Sequence, residues 1–214
     1  MLLRALPLIA AIAPIIGINI AYWIGANNEV LPSCIPYLDG CTSISSTGRY
    51  PPGDRLFRAV MLPYAAMLVF IWYFAVLWLK SLKPSVKTGP VIVASGLTGA
   101  AALVLYVTYL TSMDAFYIVM KTYGVYFYFA GTAFAQLVLS MSLDRSPTQR
   151  AMVWVTATPW ILGLVNLAQK VILGSLNSNE NRIEWIASLL MQVWFVLLWL
   201  EWRRTRFALT VNTT

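Results

Sequence analysis

Six long stretches of this 214-residue chain carry no Asp, Glu, Lys or Arg: Ala5 to Asn28, Ala59 to Leu79, Thr88 to Met113, Thr122 to Leu143, Ala151 to Gln169 and Trp185 to Leu200. No other feature restricts the fold as strongly. A helix rises about 1.5 Å per residue, so roughly 20 apolar residues cross about 30 Å of hydrocarbon. With no water to bond the backbone there, a helix is the form that satisfies its own N–H and C=O groups. The runs predict spans over residues 5–26, 57–80, 89–112, 121–143, 151–172 and 184–202, with one long connection, 27–56. The last run is the shortest. Glu184 and Glu201 are expected near headgroup level at its two ends, with Trp185, Trp199 and Trp202 as interfacial anchors.

The expected fold is therefore an all-α integral membrane protein, a single six-transmembrane-helix bundle over residues 1–214. Composition agrees: 59% of residues are hydrophobic and 11% charged, against roughly 25% charged in a soluble domain. The net charge of +7 does not point to nucleic acid, because the basic residues lie in short stretches between apolar runs and form no cluster on a soluble face. Arg4 followed by an apolar run has the outline of a secretory signal, but the run continues through Tyr22 and Trp23 without a small-residue cleavage site. A retained helix is expected, bent at Pro7 and Pro14.

Direction follows from the excess of Lys and Arg in cytoplasmic segments. With the N-terminus inside, the inner segments carry nine basic residues (Arg4, Lys80, Lys83, Lys87, Arg145, Arg150, Arg203, Arg204, Arg206) against two acidic ones, Asp144 and Glu201. The outer segments carry six of each. The expected topology is N-in, C-in, with a structured first external loop. Asn212-Thr213-Thr214 matches a glycosylation sequon but falls at the inner end. The expected location is integral and multi-pass, with ER, Golgi, lysosomal, plasma and bacterial inner membranes all compatible.

Residues 27–56 are too long and too apolar for a simple tether, and such loops are uncommon without a function. Both cysteines, Cys34 and Cys41, lie here on the side expected to be oxidising, so a local disulfide is expected; two unpaired thiols are the alternative. Two thiols without any His make an incomplete zinc set, and no metal or cofactor is expected. Beyond Cys41, Thr47-Gly48 and Pro52-Gly53 favour turns. The hydroxyls of Ser43, Ser45, Ser46 and Thr47 have two readings. They bond to nearby backbone in a compact turn, or, with Arg49, Arg55 and Arg58, they hold a phosphate or lipid headgroup. Asp54 and Arg58, four apart at the start of the second span, are placed to favour the helix dipole and to meet across one turn.

The stretch from Thr42 to Arg58 resembles the first external loop of the Frag1/DRAM/Sfk1 family of six-span membrane proteins, also described as having a CWH43-like N-terminal domain. Ser43, Ser45, Thr47, Gly48, Pro51, Pro52 and Phe57 stand in positions compatible with the family pattern P-x-[IV]-S-x-[ST]-G-x-x-P-P followed by Phe. An acidic residue often follows the Pro pair in the family, whereas this chain has Gly53 and then Asp54. The small-residue segments around Gly96, Gly99, Gly124 and Gly131 are similar to those of the family's third and fourth helices. Some relatives carry a His near the start of the fourth helix, where this chain has Lys121. The resemblance implies a role in lipid remodelling, phospholipid organisation or autophagy-linked membrane functions.

Polar residues within or beside the spans extend the candidate site. Asn166 and Lys170 share a helix face, and with Asp114, Lys121, Glu180 and Glu184 they could line a polar pocket beneath the loop; interfacial snorkelling and helix–helix hydrogen bonds are the plainer explanation. Asn19, Gln136 and Gln192 are single amides of the second kind. Ser95, Gly96, Gly99 and Ala100 have small-residue spacing that allows close approach within one bundle or between copies. The absence of His removes the usual zinc-dependent lipid hydrolases and His-based acyltransferases, and no internal repeat or mid-bilayer coupling charge suggests a transporter. The leading expectation is a factor that binds a membrane-lipid headgroup or a partner protein at the non-cytoplasmic face. The alternative is a lipid-modifying enzyme with its site under the loop.

Overall fold

The computed structural model describes residues 2–173 and 177–208, and the sequon at 212–214 lies outside them. Among the described residues every regular element is helical. Six long helices, α1 (Leu2–Asn27), α4 (Gly53–Leu82), α5 (Gly89–Tyr109), α6 (Ala115–Ser142), α7 (Pro147–Leu173) and α8 (Asn177–Arg204), alternate in direction, and two single-turn helices, α2 (Pro36–Asp39) and α3 (Ile44–Thr47), stand in the long loop. Each long helix is long and apolar enough to cross a bilayer. The protein is an integral, multi-pass membrane protein.

In space the helices form a closed ring in the order α1, α4, α5, α6, α7, α8, with α4 also reaching α6 across the middle. One face of the bundle carries the long loop and the α5–α6 connection, and the other carries the described chain ends and the short α4–α5 and α6–α7 connections. These are called here the loop face and the terminal face. The helices overrun the sequence-based spans, α4 by four residues at its start, where Asp54 and Arg55 are polar, and α6 by six apolar ones, Ala115–Met120, because the Lys121 charge that ended the apolar run is accommodated within the helix by the Leu110 and Ser112 carbonyls. α5 instead stops at Tyr109, turning early into the connection that matters below.

The core is aromatic. Trp72, Trp78, Trp185, Trp194 and Trp202 are all fully buried together with Phe57, Tyr64 and Phe195. This corrects the expectation for the last span: Trp185 and Trp202 are interior packing residues, Trp185 donating from Nε1 to the Thr42 carbonyl at 2.9 Å. Trp199 is half-buried, with the Arg203 guanidinium 4.9 Å above its ring.

α5 and α6 approach most closely, and glycine makes the approach possible. A Cβ on Gly131 would stand 2.8 Å from the Ser95 carbonyl oxygen and 2.9 Å from the Gly99 nitrogen, and one on Gly99 would meet Thr132. The small-residue face of α5 is therefore used inside the bundle, where Gly96 also lies under the Trp72 ring. Interior amides settle as helix–helix bonds: Gln192 Nε2 donates to the Tyr64 hydroxyl at 3.2 Å and Gln136 Nε2 to the Met191 carbonyl at 3.1 Å. At the terminal face Arg4 donates to the carbonyls of Phe207 and Arg206, tying α1 to the end of α8.

Candidate functional site

The long loop folds back over the helix ends and is fastened at several points. Cys34 and Cys41 form a disulfide, closing a short ring that contains α2. Inside it the Tyr22 hydroxyl of α1 donates to the Pro32 and Cys34 carbonyls and accepts from the Cys34 N–H, each at 2.9 Å. On the α8 side Asn181 donates to the Gly40 carbonyl at 2.9 Å, and Trp185 packs edge-on against Tyr37 and Tyr22. Asn19, an amide inside the first span, donates to the Tyr37 hydroxyl at 3.0 Å, so its partner is the loop as well as its own helix.

The hydroxyls of the family-like stretch divide into two groups. Ser43 is the N-cap of α3, its Oγ accepting from the Ser46 N–H at 3.0 Å and facing the Ser46 hydroxyl at 2.9 Å. Thr47 is buried and donates back to the Ser43 carbonyl at 3.2 Å. Both hydroxyls are engaged in building the turn. Ser45 alone reaches outward, with its Oγ 2.9 Å from the buried Tyr106 hydroxyl and donating to Glu184 Oε1 at 3.5 Å. The Glu184 carboxylate of α8 thus lies at the first turn of α3, near the backbone of Ile44 and Ser45. Beside this turn Phe57 packs against Tyr106, its ring occupying the space a side chain on Gly48 would need.

Three cations gather around the short α5–α6 connection. Arg58 of α4 donates to the Thr111 hydroxyl. Lys121 of α6 donates to the Ser112 carbonyl at 2.9 Å and the Leu110 carbonyl at 3.3 Å, satisfying carbonyls left open where α5 ends. Arg49, at the end of the loop, lies near enough to Lys121, Tyr106 and Glu184 to act on each through its charge. Among the described residues none of Arg49, Arg58 and Lys121 is ion-paired with a carboxylate. The Nε donors of Arg49 and Arg58 are buried and without a partner. Each such donor is costly to leave unmet, and like charges held together repel unless an anion lies between them.

The other expected residues stand apart from this group. The Asp54–Arg58 ion pair is not formed: Asp54 keeps its place in the first turn of α4 but its Oδ1 is buried without a partner, because Arg58 turns toward α5. Arg55 and Asp114 are exposed, Asp114 occupying the N-cap position of α6 without a capping bond. Lys170 pairs with Glu180 at 3.2 Å, and Asn166 is half-buried on α7. Missing from the sequence-based set were Tyr106 and Thr111, uncharged residues of an apolar stretch, and Arg182, whose Nε is buried at the start of α8. Only the Arg182 charge was visible in advance. Among the described residues no three His, Cys, Asp or Glu side chains come together as metal ligands would.

Fold and site together define a six-helix membrane protein whose first long loop is disulfide-closed and fastened to α1 and α8, with three cations near the α5–α6 connection. Compared with family models, curated proteins and solved structures, the chain matches none.

Proposed function

We propose that this protein binds the phosphate of a membrane-lipid headgroup beneath its loop, and that it belongs with the lipid-organising members of the Frag1/DRAM/Sfk1 family that its loop motif resembles. The observation that carries this reading is the meeting of Arg58 and Lys121 at residues 110–112, with Arg49 near Lys121, without an ion-paired carboxylate and with two guanidinium Nε donors buried and unmet. A phosphate supplies what that arrangement lacks: negative charge and several acceptor oxygens suited to guanidinium donors. The basic excess of the terminal-face segments supports a non-cytoplasmic position for the loop.

One contact favours a second reading, a lipid-modifying enzyme. Ser45 Oγ lies against the Glu184 carboxylate with cations nearby, an arrangement in which a hydroxyl nucleophile has a base beside it. Lipids extracted from the purified protein separate the two readings. In the binding reading, Lys121→Gln and Arg49→Gln lower the phospholipid retained per protein several-fold, Ser45→Ala changes it little, and the retained lipid is chemically intact. Conversion of added phospholipid that disappears in Ser45→Ala would establish the enzyme instead.

A further inference from the structure

One charge beside Arg49, Arg58 and Lys121 has no counterpart in a simple phosphate site. Glu184 of α8 forms no ion pair among the described residues, and the side-chain hydrogen bond it receives from the Ser45 hydroxyl is long, at 3.5 Å. The Ser45 Oγ in turn lies 2.9 Å from the Tyr106 hydroxyl, so a carboxylate and two hydroxyl oxygens from α8, α3 and α5 stand together. Tyr106 is buried, but Ser45 and Glu184 are half-buried, as are Arg49, Arg58 and Lys121. Arg49 is common to the two groups, its charge acting on Glu184 and Tyr106 and also on Lys121. An ionised carboxylate so placed repels a phosphate and accepts more hydrogen bonds than one long one. It works against a purely anionic ligand and suits one that carries a positive charge next to its phosphate.

We infer that the headgroup is that of a phosphatidylethanolamine, its phosphate held by Arg49, Arg58 and Lys121 and its primary ammonium by Glu184 with the Ser45 and Tyr106 hydroxyl oxygens. The inference rests on the phosphate reading above and adds the class of headgroup. A primary ammonium has three N–H donors and no acceptor, and the carboxylate and the two hydroxyl oxygens are all acceptors. Choline, with a methyl in place of every N–H, donates to none of them. Its recognition calls for aromatic faces around the cation, whereas the Tyr106 ring is packed edge-on against Phe57. Among the described residues no group of three metal-ligating side chains includes Glu184, so an ammonium fits where a metal ion would lack ligands. In ethanolamine two carbons separate the nitrogen from the phosphate ester oxygen, so its opposite charges must be met side by side, as they are by Arg49 and Glu184.

The test uses the full chain in detergent, stripped of lipid and titrated with dioleoyl lipids whose headgroup nitrogen carries no, one, two or three methyl groups, from phosphatidylethanolamine to phosphatidylcholine. Phosphate and chains are constant through this series and only the N–H donors are removed, so it needs no variant. The affinity of the parent is expected to fall along it by about tenfold in total. Phosphatidylcholine bound as tightly as phosphatidylethanolamine would overturn the ammonium assignment and leave the phosphate reading standing. Glu184→Gln is expected to reduce the preference for phosphatidylethanolamine over dioleoylphosphatidylglycerol by about tenfold, by weakening the first and not the second. A Glu184→Gln chain that keeps the preference of the parent, or that loses both lipids equally, would overturn the role given to the carboxylate. Arg49→Gln is expected to weaken both lipids. If the parent retains dioleoylglycerol as well as it retains either phospholipid, the phosphate reading fails and takes this inference with it. Glycerophosphoethanolamine bound as tightly as the dioleoyl lipid would overturn the assignment to a membrane lipid.

Discussion

Gly40 ends α2 in the left-handed region, at φ 62°, with its N–H bonded to the Pro36 carbonyl. A side chain there would be strained and would also run into the Ser178 carbonyl oxygen of α8. The residue is therefore the point where the loop can lie directly on α8, beside the Asn181 bond to its carbonyl. Gly40→Ala is expected to lift this part of the cap and to cost about 2–3 kcal/mol. Thermal unfolding and faster proteolysis within residues 28–52 would report it, and unchanged values for both would mean that the cap is not seated as described. At this scale the chemistry of the loop was partly legible. The turn-forming roles of Ser43 and Thr47 follow from how short hydroxyl side chains compete for local backbone. The outward reach of Ser45 does not, because its partner Tyr106 is remote in sequence and looks like any aromatic residue in a span.

Helix existence followed directly from the absence of charge over about 20 residues, since lipid offers no alternative to internal hydrogen bonding. Helix ends and neighbours were less legible. Where α5 stops is set by Lys121 and Arg58 engaging the 110–112 connection, contacts made by two other helices. Small-residue spacing on α5 was visible, but whether it served the bundle or a second copy was not, because the pattern marks closeness without naming the partner. The structure assigns it to α6. Gly131→Ala puts a methyl against the Ser95 carbonyl oxygen and the Gly99 nitrogen, backbone atoms that cannot rotate away as a side chain could. A loss of about 1–3 kcal/mol is expected, measured as a lower unfolding midpoint in detergent. An unchanged midpoint would show that α5 and α6 are farther apart than described.

For the whole molecule, the separation of charge between the two faces was the most informative pattern after the apolar runs. The terminal-face segments hold nine basic and two acidic residues, while those of the loop face hold six of each. The balance on the loop face conceals its arrangement: Lys170 is matched by Glu180, while Arg49, Arg58 and Lys121 meet hydroxyls, carbonyls or nothing. Sequence counting adds charges and cannot pair them. The N-in, C-in topology expected from that charge count predicts that a cysteine placed at exposed Leu38, in a chain with its native disulfide formed, reacts with a membrane-impermeant maleimide from the non-cytoplasmic side. One placed at exposed Lys87 reacts only after that side's barrier is broken, and the reverse pattern would invert the molecule.

The role of phosphate is most directly tested by native mass spectrometry of the lipid-stripped protein offered equal amounts of dioleoylphosphatidylglycerol and dioleoylglycerol, which have the same two chains and differ by the phosphoglycerol. The account predicts that the phosphate-bearing lipid is retained in preference and that this preference disappears in an Arg49→Gln, Arg58→Gln, Lys121→Gln triple variant that still unfolds cooperatively. Equal retention of both lipids by the parent protein would contradict it.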